Sequence, residues 1–109
     1  MLLTSHYSNI LKALSSEVRF DLLVWTANPD RYFEHGELVV SEEAGFSGGV
    51  SMVSLQSKAG ISQSTLSYHM DVLTKANLVE SRLIAKHLYY RANKPVIADF
   101  LSFFDHELL

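Results

Sequence analysis

Two adjacent segments restrict the fold most: SMVSLQSKAG (residues 51–60) and SQSTLSYHMDVLTKANL (residues 62–78). In the second, Leu66, Met70 and Leu73 recur at i, i+4 and i+7, so a helix over about 63–76 has one apolar face. Ser62 stands at its cap position, and Asn77 follows its end, a residue that tolerates left-handed backbone. In the first segment, Ser51 caps a shorter helix, 52–59, buried through Met52, Leu55 and Ala59. Gly60 supplies the sharp turn between them. The spacing predicts a helix-turn-helix over 52–76. The outward half of its second helix carries Ser62, Gln63, Ser64, Thr65, Ser67 and Tyr68, without the Lys and Glu usual on a surface helix.

The next stretch, LVESRLIAKHLYYRAN (78–93), alternates as a β-hairpin. Val79 and Leu83 share a face of its first strand, Leu88 and Tyr90 a face of its second, and the turn falls near Ala85-Lys86. Arg82, Lys86, His87 and Arg91 surround that turn. A basic-tipped hairpin directly after such a helix is a wing, 78–92, with Tyr89 and Tyr90 packing it against the body.

The flanking segments supply the rest of the core. Helical spacing over 2–14 (Leu3, Tyr7, Ile10, Leu11, Leu14) gives one wide apolar face. A helix over 17–27 is apolar around most of its circumference, so it is central to the core and takes Trp25 inside. Asn28-Pro29-Asp30 stops it. Residues 29–50, with four glycines and four glutamates, read as a long loop, either functional or mobile. A last helix, 94–108, is more apolar than one small domain can cover. The pattern therefore pairs it with helix 2–14 in a dimer interface through Leu3, Tyr7, Ile10, Ile97, Phe100, Leu101 and Phe104.

The 109 residues make one domain, mainly α with a small β-hairpin. There is no cysteine, which excludes disulfides, thiolate metal sites and thiol redox switches. The opening MLLTSHYSNILKAL lacks the basic start and unbroken apolar run of a signal peptide, and no stretch approaches the ~20 apolar residues of a membrane span. A soluble, cytoplasmic chain is expected.

The net charge of −3 is unevenly spread. Residues 1–50 are net −4, residues 51–94 are net +4 (six bases against two acids), and residues 95–109 are net −3. The helix-turn-helix and wing thus occupy the basic segment, whose field a polyanion feels within about one Debye length, ~8 Å. An uncharged helix face is suited to the major groove: Gln pairs bidentately with adenine, and Ser or Thr bonds several base edges or touches a thymine methyl. Arg82, Lys86 and Arg91, with His87 beside them, would then lie along the phosphates or the minor groove.

The sequence resembles the arsenic-repressor (ArsR/SmtB) family of winged-helix regulators. LKALSSEVRFDLL (11–23), with Arg19, is similar to the family's second-helix block. GISQSTLSYHMDVLTKANLVESRL (60–83) is similar to its helix-turn-helix and first wing strand, and Tyr90-Arg91 to the return strand. The resemblance implies a dimeric winged helix-turn-helix of order α-α-α-α-β-β-α that binds double-stranded operator DNA and represses transcription until an effector releases it. It implies that Gln63, Ser64, Thr65, Ser67 and Tyr68 face DNA, and that His69 packs at the helix base. The chain departs from the family's metal sensors: SMVSLQSKAG has no Cys-Val-Cys, and the last helix offers Asp99 and His106 but only half of a zinc pattern. No cofactor and no metal site is expected, with Asp99 and His106 as weak metal candidates. No nucleophile has a base partner, so no enzyme activity is expected. The alternatives are a winged-helix docking dimer without DNA binding, and a metal-responsive repressor with a non-cysteine site.

Overall fold

The computed structural model describes residues 4–39 and 45–109. Leu3, assigned above to the dimer face, lies outside them, as does part of the 29–50 loop. The elements run α1 (Ser5–Ala13), α2 (Glu17–Ala27), α3 (Pro29–Tyr32), β1 (Val50–Ser51), α4 (Met52–Ala59), α5 (Gln63–Lys75), β2 (Val79–Ile84), β3 (His87–Ala92) and α6 (Lys94–Leu108).

The helix ends follow local chemistry. Ser16, Ser51 and Ser62 each accept a backbone N–H three residues on, from Arg19, Ser54 and Thr65, satisfying donors that a helix start leaves orphaned. Gly60 closes α4 in the left-handed region (φ 65°), and its N–H bonds to Gln56 O at 2.9 Å. Asn77 takes the same conformation after α5 (φ 61°). Leu66, Met70 and Leu73 are fully buried, as their spacing requires, and join Ile10, Leu22, Leu55 and Leu78 in one core. Trp25 lies at the edge of that core, only partly buried, against the expectation that it sits inside.

The expected two-stranded hairpin is part of a three-stranded antiparallel sheet of order β1-β3-β2. β1 is only two residues long and takes its register from β3, Val50 facing Tyr90 and Ser51 facing Tyr89. On the wing, Ile84 pairs with His87, leaving Ala85 and Lys86 as a two-residue loop. Both have positive φ (50° and 69°), the conformation this loop length demands and that Gly or Asn adopts with less strain.

The segment 29–50 is not a featureless loop. Pro29 opens α3, a role for which its fixed φ suits it, and His35–Glu37 form a 3-10 turn. Leu38 bridges to Val50. Val39 donates to Gly49 O at 2.9 Å and accepts from Gly48 N–H at 2.7 Å. Phe46 is then buried to 1% exposure.

α1 and α6 meet within the chain. The Tyr7 ring stacks on Phe103 with centroids 3.9 Å apart, and its hydroxyl donates to Asp99 Oδ2 at 3.0 Å. Ile10 (0% exposed) is therefore a core residue of the single chain, a correction to its placement on the dimer face, whereas Phe100 (8%) is largely buried but still lines the apolar groove of α1, α2 and α6. Periodicity could not separate core from dimer face because the one apolar face of α1 is wide enough to serve both. Leu101 is exposed, while Tyr7, Ile97 and Phe104 are partly buried. No described helix is long and apolar enough to cross a membrane.

Candidate nucleic-acid interface

α5 presents Ser62, Gln63, Ser64 and Tyr68 around a shallow depression that also takes in Ser67 and Asp71. Ser62, Gln63, Ser64, Thr65 and Tyr68 are exposed; Ser67 is partly covered. The hydroxyls at the helix start are interlinked: Ser62 Oγ lies 2.8 Å from Thr65 Oγ1 and 3.3 Å from Ser64 Oγ. Among the described residues, nothing bonds the Gln63 amide. Asp71 puts one carboxylate at the far edge of this face.

The base of α5 is fixed to α2. Arg19 Nε donates to Ala13 O at 2.7 Å, and Arg19 Nη1 donates to His69 Nδ1 at 3.0 Å. A guanidinium can only donate, so Nδ1 is the acceptor and His69 is neutral. Burial, and then the Arg19 charge, push His69 below the ordinary histidine value. Arg19 and His69 lie on the two stretches that carry the resemblance, so the structure gives that pair of stretches a shared contact.

A cleft of about 290 Å³ separates the helix-turn-helix from the wing. Gln63 stands on one wall, Lys86 and His87 at the wing tip on the other. Val53 and Leu83, 70% and 69% exposed, line it as well. Leu83 shares a strand face with the buried Val79. It has the right parity, since it pairs with Leu88 on the side of the sheet that buries Tyr90. Yet the hairpin projects beyond the body there, so the side chain is exposed. Neither Val53 nor Leu83 had been marked for the interface. Val53, beside Met52, and Leu83, beside Ile84, gave no sequence signal of it.

The wing's two arginines are not where their sequence position suggests. Glu80 faces Arg91 across the ladder, on the side of the sheet opposite Tyr90. Arg91 Nη2 donates to Glu80 Oε1 at 3.2 Å, and its guanidinium lies 4.4 Å from the centroid of Phe46. Arg91 Nη1 reaches Ser47 O at 3.4 Å. Arg82, two residues from Glu80 on the same side, lies 5.2 Å over the same ring. Both arginines thus hold the 45–49 segment to the wing by cation–π contact, while Lys86 and His87 stand exposed at the tip. This arrangement joins residues more than thirty positions apart, and no local pattern foretold it. Gly49 is needed beneath it, because a Cβ there would come within 2.5 Å of the Phe46 ring.

The metal candidates are each engaged within the chain. Asp99 accepts from Tyr7, and His106 Nδ1 lies 2.8 Å from Ser102 O in its own helix. Among the described residues no three His, Asp or Glu side chains cluster as a metal site. Burial, with the Asp71 charge second, raises the Tyr90 hydroxyl above its ordinary value, which keeps it neutral.

Comparison with known proteins bears on this geometry. A helix-turn-helix domain family matches residues 47–82. An uncharacterized HTH-type transcriptional regulator of Bacillus subtilis, YbzH, is 33% identical over 96 residues, covering 85% of this chain and 92% of the relative. An ArsR-like transcriptional regulator from Rhodococcus superposes with a TM-score of 0.69 at 20% identity, over 94% of this chain and 78% of that one. The homodimeric winged helix-turn-helix DNA-binding domain of a Mycobacterium bovis regulator gives 0.67 at 21% identity, over 92% of this chain and 76% of that one.

Proposed function

The chain belongs to the helix-turn-helix transcriptional regulators and is an ArsR-like winged-helix DNA-binding protein, and on that premise we propose that it acts as a homodimeric repressor in the cytoplasm. Each copy lays the first half of α5 in the major groove. Gln63 reads adenine through its free amide. Ser64, Thr65 and Ser67 touch base edges or thymine methyls, and Tyr68 reaches the backbone. The N-terminal amides of α5 hold a phosphate beside Ser62. Lys86 and His87 at the wing tip follow the phosphates. The chain works by binding, with no catalytic step. An effector acts on the dimer face or on the 29–50 segment to change the spacing of the two α5 helices, which must match groove faces ~34 Å apart.

The observation that carries this reading is the uncharged, outward face of α5, set beside a basic wing tip across one cleft. The dimer is supported by an apolar groove of about 680 Å³ formed by α1, α2 and α6, with Leu11, Phe20 and Leu101 each half or more exposed on it. Leu101→Glu tests it. Sedimentation should give two chains for the wild type and one for the variant, with operator affinity lost in the variant. A wild-type protein that binds operator as a single chain contradicts the dimer. The Asp71 carboxylate on the α5 face favours a second reading, a docking dimer for a protein partner. An intact dimer that binds no duplex even at low salt would select it.

A further inference from the structure

A second surface adjoins the α5 face, in a groove of about 340 Å³ between α1, α2 and the C-terminal half of α5. Its charged side chains are Lys12, Arg19 and Lys75; no Asp or Glu lines it. Tyr68 lines both this groove and the depression over Ser62, Gln63 and Ser64, so the two surfaces are continuous. The cations come from three helices. Arg19 is fixed by its bonds to Ala13 O and His69, and Asn9 adds a polar side chain to the rim. Lys12 and Lys75 are exposed and sit in the last turns of α1 and α5. A helix C-terminus favours a cation in its own right, which would account for each lysine singly. It does not account for two such ends and an arginine converging on one acid-free groove beside Tyr68.

We propose that this groove is a phosphate track: it holds the DNA backbone next to the base pairs that α5 reads, with Lys12 and Lys75 as phosphate contacts and Arg19 as the rigid floor between them. A polyanion is the occupant that the charge selects, and continuity with the α5 face makes it the same duplex. The inference rests on the proposed placement of α5 in the groove. It moves the main electrostatic anchor from the wing's arginines, which Phe46 engages, to the far end of α5.

Lys12→Gln and Lys75→Gln test it by anisotropy on duplex DNA across a salt series. Each should weaken upstream and scrambled duplexes alike, about fivefold to tenfold near 0.1 M salt, and lower the slope of log K against log salt by ~1 per bound chain. Lys58→Gln makes the same charge change at an ammonium that sits over the Trp25, Tyr32 and Phe33 rings, and should leave the slope near that of the wild type. Lys86→Gln is the reference for the α5-and-wing placement. A loss there with wild-type slopes for Lys12→Gln and Lys75→Gln overturns the track and leaves that placement standing. Unchanged slopes for all three overturn the placement as well. Thermal melts on the same samples separate a helix-end effect, which would lower the melting temperature without changing the slope.

Discussion

Two polar surfaces of this molecule meet opposite fates. The outer side of the wing carries formal charge in Glu80, Arg82 and Arg91, and uses it within the chain, on Phe46 and on the cross-strand ion pair. The first half of α5 carries no charge at all, yet leaves its amide and hydroxyls facing outward. Counting bases in the sequence therefore overstates the wing and understates α5. What a partner feels is the polar capacity left over after the chain has satisfied itself.

Phe46→Ala bears most heavily on the contrast between the two surfaces. Removing a ring that is 1% exposed should cost about 3 kcal/mol, and melting should fall by roughly 10 °C or more for a domain of this size. A melting temperature within a degree or two of the wild type would mean that the arginines are not committed to Phe46. A smaller effect sharpens the contrast within the wing. Lys86→Gln should lower the salt slope of DNA binding by ~1 per chain, while Arg91→Gln should lower stability by about 1 kcal/mol, as expected for a half-exposed ion pair plus a cation–π contact, and leave the slope nearly unchanged. Equal slopes for the two variants would return Arg91 to the DNA face.

The smallest effect concerns the joint between α2 and α5. His69 is held below the ordinary histidine value of 6.5 by burial and then by Arg19. Unfolded, it returns to that value, so below about 6.5 the unfolded chain binds more protons than the folded one. The stability it contributes is complete above pH 6.5 and is lost as pH falls toward the depressed folded value. His69→Asn keeps an acceptor near the Nδ1 position without titrating. Melting from pH 7.5 to 5.5 should drop more for the wild type than for this variant; parallel drops would show that His69 does not carry the pH dependence.

Much of the architecture was legible because it rests on short-range rules. The i, i+4, i+7 spacing of Leu66, Met70 and Leu73 dictated which side of α5 is buried, and all three are fully enclosed. Ser51, Ser62, Gly60 and Asn77 marked helix ends through backbone chemistry that needs no tertiary partner. What escaped was non-local. β1 exists only because β3 offers a free edge, and two residues carry no alternation of their own. Ile10 lies on the single wide apolar face of α1, so periodicity could not tell core from dimer face there. Phe46 meets Arg82 and Arg91 across the chain through a loop with no period at all. On the candidate interface, the residues of α5 were readable from their polarity, whereas Val53 and Leu83 reach the cleft only through the packing of the wing beside α4.

The central claim is that the uncharged face of α5 reads bases. Fluorescence anisotropy of the wild type and of Gln63→Ala, on the DNA upstream of its own gene and on a scrambled duplex across a salt series, tests it most directly. The wild type should show a steep salt slope and prefer the upstream duplex. Gln63→Ala should lose ~1–3 kcal/mol on that duplex and little on the scrambled one. Equal loss on both duplexes, or none on either, would contradict it.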